Sequence, residues 1–147
     1  MDPMKSDDPF NLERFIAAQD AVYPTVVQEL KDGQKRTHWM WFIFPQVLGL
    51  GRSPTSQYYA IKSKAEAIAY LQHPVLGKRI YECAALVLEI KNKTATQIFG
   101  QPDNMKLQSS MTLFASISQD KSVFIGVITT YYHDQLCQKT IDFLKND

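Results

Sequence analysis

The sequence predicts an all-α domain, an irregular bundle of roughly six to eight helices around a buried aromatic segment at residues 38–45, on three observations. Apolar residues recur at helical spacing in several separate stretches, many of these are opened by a capping residue or a proline, and two are closed by a glycine, Gly33 and Gly100. No set of alternating apolar and polar runs supports a sheet. The block His38-Trp39-Met40-Trp41-Phe42-Ile43-Phe44-Pro45 is too apolar to be exposed on any side and has to be enclosed by the rest of the chain.

In chain order, residues 1–7 read as a disordered leader and residues 8–147 as a single all-α domain. Asp8 or Asn11 can cap a first helix, with Pro9 suited to its first turn and Leu12, Phe15, Ile16 and Gln19 sharing a face. Pro24 to Leu30 repeats that pattern with Val26, Val27 and Leu30, and Gly33 stops it. The aromatic block has only Ile43 as a β-branched residue, which favours a short buried helix over a buried strand, and Pro45 ends it. Gln46 to Gln57, with Gly49, Gly51 and Pro54, reads as loop. Ser63-Lys64-Ala65-Glu66 is a capping-box pattern. His73-Pro74 opens a longer helix to about Lys91 whose inward face is Leu76, Ile80, Cys83, Ala84 and Val87. Thr94 to Phe99 is a short helix closed by Gly100, and Pro102-Asp103 starts another that places Met105, Met111, Leu113 and Phe114 for burial. Val123 to Tyr132 and Gln135 to Leu144 complete the set, although Val123 to Ile128 alone has the propensity of a strand.

Composition removes several function classes. Sixteen Lys+Arg against fifteen Asp+Glu leave a net charge of +1, which argues against non-specific nucleic-acid binding. An apolar share of 45% is enough for a core and excludes wholesale disorder. Two cysteines are too few for a disulfide scaffold or a four-cysteine zinc site. The longest apolar run, Trp39 to Pro45, is far short of the ~20 residues of a membrane span, and the first eight residues lack the order of a signal peptide, so a cytoplasmic protein with no membrane role is expected.

Six blocks together resemble one known family. They are Asp8-Pro9-Phe10-x-Leu12-x-Arg14-Phe15, His38 to Gln46, Gly49-Leu50-Gly51-x-Ser53, Tyr58-Tyr59-Ala60-Ile61, His73-Pro74-x-Leu76-Gly77-x-Arg79, and Phe99-Gly100-x-Pro102-Asp103-x-Met105-Lys106-x-x-Ser109-Ser110-Met111-Thr112-Leu113-Phe114. In this order and spacing the chain resembles the bacterial domain-of-unknown-function family 1810 over residues 8 to 144. The resemblance implies a mainly helical, small stand-alone domain and no established activity. Some members carry the label calpastatin; it is not transferred, because such inhibitors are disordered and poor in aromatics whereas this chain is aromatic-rich.

Candidate site residues fall into two groups. In the first, Trp41 and Tyr58 offer faces for stacking, Arg52 and Arg79 can hold an anion, and His38, Gln46 and Ser53 add polar groups near a glycine-containing turn. Against this, Trp39, Met40, Phe42 and Phe44 are most simply core. Gly49-x-Gly51 lacks the third glycine and the preceding strand of a dinucleotide fingerprint. In the second, Asp103, Lys106 and Ser109 or Ser110 share a helical face, so Asp103 and Lys106 are candidate catalytic groups; Asp103 as a helix cap, with the small hydroxyls allowing close packing, is the favoured alternative. Glu82 is a third catalytic candidate, with surface pairing to Arg79 favoured instead. Arg14 could reach the central loop. Cys83 and Cys137 read as small core residues, and His73 and His133 as turn residues, so no metal or other cofactor is expected. Two functions follow: a domain that binds or hydrolyses a small anionic, nucleotide-like ligand of ADP-ribose type, or a non-enzymatic protein-interaction module. A deep pocket with Arg52 or Lys106 favours the first; a flat apolar patch favours the second. No motif decides whether the chain is an enzyme.

Overall fold

Asp8 sets up the first helix: its carboxylate accepts from the backbone N–H groups of Leu12 (2.7 Å) and Glu13 (3.0 Å), which have no intrahelical partner. The computed structural model describes residues 8–147, and the leader expected over 1–7 lies outside them. Helix α1, Glu13–Lys31, runs unbroken through Pro24, so the two stretches read separately in the sequence are one element. Phe15, Gln19, Val26 and Leu30 lie at successive spacings of four or seven residues and are all buried, and this continuous stripe carries the helix past the N–H that proline lacks.

The aromatic block forms a single helical turn, α2, Met40–Ile43. Trp39, Met40, Phe42, Ile43 and Phe44 are buried, and the Trp39, Phe44 and Phe99 rings meet at centroid distances of 6.3–6.4 Å. The stretch read as loop contains one further turn, α3, Pro54–Tyr58. Ser53 caps it and Pro54 occupies its first position, a start signal outweighed in the sequence by the neighbouring glycines. Helix α4 is Lys64–Gln72, α5 Leu76–Glu89, α6 Ala95–Phe99, α7 Asp103–Ile117, α8 Ser122–Tyr132 and α9 Gln138–Lys145. The described residues thus hold nine helices and no strand, only an isolated parallel bridge between Val47 and Ile61. The protein is all-α. Helix α8 forms despite its β-branched run because both α5 and α7 pack against it, so burial overrides local propensity.

Two helices organise the core. Helix α5 touches α1, α2, α4 and α8, and its face Leu76, Ile80, Cys83, Ala84 and Val87 is buried as the spacing predicts. Helix α7 touches α4, α6, α8 and α9. Met105 departs from expectation: it is 64% exposed, because on α7 it lies opposite the buried stripe of Leu107, Ser110, Met111 and Phe114. Asp103 does not cap α7 either; the N-cap is Pro102, and Asp103 forms ion pairs.

Buried polar groups tie the connections down. The Arg14 guanidinium donates to the carbonyls of Phe10, Asn11, Tyr58 and Ala60 and to Glu66 Oε2 (2.7 Å), so it does reach the central loop. Arg79 pairs with Asp20 (2.8 Å) and donates to Gln19 Oε1 (3.3 Å) across to α1, while Glu82 stays exposed. Their expected pairing is replaced because α1 offers a carboxylate and the Tyr23 ring face, 4.8 Å away, to the same guanidinium. Among the described residues no helix is long and apolar enough to cross a membrane.

Candidate functional site

The loop after the aromatic block is anchored at both ends. Ile61 N–H donates to Gln46 O (2.8 Å) and Leu48 N–H to Ile61 O (2.9 Å), while Ser53 Oγ accepts from Ser56 N–H (3.1 Å). Between these anchors Gly51 runs against Ser56, where a Cβ would come within 2.5 Å of the serine Cβ; a side chain at 51 would push the loop off α3. The outcome is that Gln46, Arg52 and Ser53 face one cavity of about 450 Å³.

The opposite wall comes from α7 and the start of α9: Met105, Lys106, Ser109, Cys137 and Lys139. A turn with His133 (φ 53°) and Asp134 (φ 65°) brings α9 back onto α7. It is held there by Gln108 Nε2 donating to Gln135 O (2.8 Å), by Cys137 N–H donating to Thr112 Oγ1 (3.0 Å), and by the Tyr132 hydroxyl donating to Asn104 O. Lys106 is positioned by two groups: Asp103 Oδ1 at 3.6 Å and the Trp41 ring, whose centroid lies 5.2 Å from Nζ. Asp103 is shared with Lys35 at 2.9 Å, so two cations meet one carboxylate and the local charge stays positive.

The fold therefore gathers Gln46, Arg52, Ser53 and Lys106 at one cavity, with Trp41 and Asp103 behind Lys106. Tyr58 faces a separate cleft with Phe10, Asn11 and Arg14, Arg79 sits with Asp20 and Tyr23 on α5, and His38 and Glu82 are exposed outside the cavity. Sequence reasoning placed Ser109 beside Lys106 but missed Met105, Cys137 and Lys139 as lining residues. Cys137 in particular is not a core residue; it is half-buried on the cavity wall at the N-cap of α9. Its partner Ser109 Oγ, at 3.4 Å, lies 28 positions earlier in the chain, a separation that leaves no local signal.

The lining chemistry is one-signed. Arg52, Lys106 and Lys139 contribute three cations, and among the described residues the lining holds no carboxylate and no histidine. Leu50, Pro102 and Met105 provide apolar surface beside them. Such a concavity can take the charge of a small anion on one side and a less polar group on the other.

A family model described as a protein of unknown function, DUF1810, matches residues 9–144. The crystal structure of a conserved hypothetical protein from Mycobacterium tuberculosis is 48% identical, with a TM-score of 0.93 over 94% of this chain and 99% of that one. No curated protein matches the chain.

Proposed function

The chain belongs to the DUF1810 family, and we propose that it binds a small phosphate-bearing, nucleotide-like anion of ADP-ribose type in the cavity between the 46–53 loop and helices α7 and α9. One observation carries this reading: three cations and no carboxylate line a cavity of about 450 Å³ among the described residues. That size falls within the ordinary range for small-ligand sites. Phosphates would rest against Arg52, Lys106 and Lys139, and the less polar part against Leu50, Pro102 and Met105. Binding is favoured over hydrolysis because the described lining offers neither a carboxylate nor a histidine to activate water. The contiguous apolar core supports a further reading, that residues 8–147 fold as one domain, and we place its work in the cytoplasm, where phosphorylated metabolites are plentiful.

Thermal denaturation with ADP-ribose, ADP and inorganic pyrophosphate tests the proposal. The wild type should be stabilised in proportion to ligand concentration over its dissociation constant, and Arg52→Ala should remove the shift. The unliganded melting point of that variant should move little, since Arg52 is exposed. No shift at millimolar ligand, or an equal shift in the variant, overturns it.

A further inference from the structure

The two cysteines are prepared for opposite fates. Cys83 is fully buried on α5 beside the Tyr23 hydroxyl (3.8 Å), and burial pushes its thiol up to about 12. Cys137 opens onto the cation-lined cavity. Burial acts to raise its pKa as well, but hydroxyls of Ser109 and Thr140 and backbone amides of Thr140 and Lys139 outweigh it and hold the thiol below its ordinary value. The Thr140 hydroxyl is fully buried and otherwise without a hydrogen-bond partner, which leaves it free to donate to a charged sulfur beside it. The sulfur thus has a thiolate-stabilising surround and a basic cavity in front of it.

The cavity also constrains what such a thiolate could attack. An ester or phosphoester would expel an alkoxide that needs a proton, and the described lining has no carboxyl or imidazole to give one. A disulfide expels a thiolate, which leaves without protonation. We propose that Cys137 is a thiol–disulfide exchange site for small anionic disulfides, whose charged groups dock on Arg52, Lys106 and Lys139. The thiol proton goes to solvent, Sγ bonds to one ligand sulfur, the ligand S–S bond breaks, and the second sulfur departs as a thiolate with the electron pair. Cys137 is oxidised to a mixed disulfide and the departing half is reduced, so no further oxidant is required. This inference rests on the anion-binding reading of the same cavity.

Two probes separate the claims: the dianionic disulfide of thionitrobenzoate and the neutral dipyridyl disulfide. In the native protein, one equivalent of thiolate should be released and mapped by mass spectrometry to Cys137, with Cys83 reacting only after denaturation. Relative to free cysteine, the anionic probe should react with Cys137 faster than the neutral one by on the order of tenfold at low salt. Arg52→Ala and Lys139→Ala should each slow the anionic probe more than the neutral one and so reduce that preference, and pyrophosphate should protect. If Cys137 is silent to both probes while pyrophosphate still shifts the melting point, the exchange proposal fails and the anion site stands. If both probes react equally in wild type and variants, the docking of anionic disulfides is wrong; loss of the pyrophosphate shift as well would remove the anion site itself.

Discussion

Replacing Glu29 by glutamine should cost the protein stability at neutral pH, a loss that fades as the solution is made acidic. Glu29 sits on α1, almost fully buried, and accepts from Arg36 N–H (2.8 Å), Thr37 N–H (3.2 Å), Thr37 Oγ (2.8 Å) and Trp39 Nε1 (2.8 Å). Burial alone would raise its pKa, but these donors outweigh it and lower the carboxyl from 4.5 to about 2. At about 1.36 kcal/mol per pKa unit, the difference corresponds to roughly 3 kcal/mol of stability at neutral pH. Because the folded pKa is the lower one, the unfolded chain takes the proton first as pH falls. The contribution is complete above about pH 4.5 and drains away toward about pH 2. A glutamine can keep its oxygen on the three N–H donors, but the Thr37 hydroxyl must reverse to accept from the new NH₂ and the charge-assisted bonds become neutral ones, at a cost of about 1–3 kcal/mol. Urea denaturation of wild type and Glu29→Gln from neutral to strongly acidic pH checks this. The two stabilities should converge as pH drops below about 4. Parallel curves, or a neutral-pH loss under about 0.5 kcal/mol, would refute the assignment.

Other perturbations have equally specific outcomes. Arg14→Ala strips the buried Glu66 of its cation and leaves four carbonyls short of a donor, and should cost about 3–5 kcal/mol in chemical denaturation. Gly77→Ala would set a Cβ 2.1 Å from Leu71 O; a melting point equal to wild type would show that the α4–α5 turn is looser than described. Trp39→Ala removes a buried ring and unpairs part of Glu29, so a loss of about 3–5 kcal/mol is expected by the same assay. Met105→Ser, at an exposed position, should leave the melting point within about a degree, consistent with surface changes of under 0.5 kcal/mol.

What the sequence made legible was local. The face of α5 is fixed by spacing alone, since Leu76, Ile80, Cys83, Ala84 and Val87 repeat at three and four residues and all are buried. The short helix from Thr94 to Phe99 and its closure at Gly100, which takes a positive φ, are likewise written in consecutive residues. Met105 was misjudged because its apolar identity was weighed above its phase on α7. Of the cavity, the near wall was readable: a glycine-containing turn next to the aromatic block carries Gln46, Arg52 and Ser53. Lys106 was found because it shares a helical face with Asp103. The far wall was not, since Cys137 and Lys139 reach it only when the turn at His133 and Asp134 folds α9 back on α7. Arg79 failed for the same reason: its partner Asp20 is set by how α1 crosses α5, and a neighbouring Glu82 carries no information about that crossing.

The most direct test of the central claim, that this is an anion-binding cavity built by Arg52, Lys106 and Lys139, is calorimetric titration of pyrophosphate or ADP-ribose into the protein at several salt concentrations. The account predicts one saturable site whose affinity falls as salt rises, because exposed charges are screened within about 10 Å at 0.1 M ionic strength. It also predicts loss of that site in the double variant Arg52→Ala with Lys139→Ala, whose fold is retained. Absence of heat at millimolar ligand, or a site that the double variant binds as tightly as wild type, would contradict it.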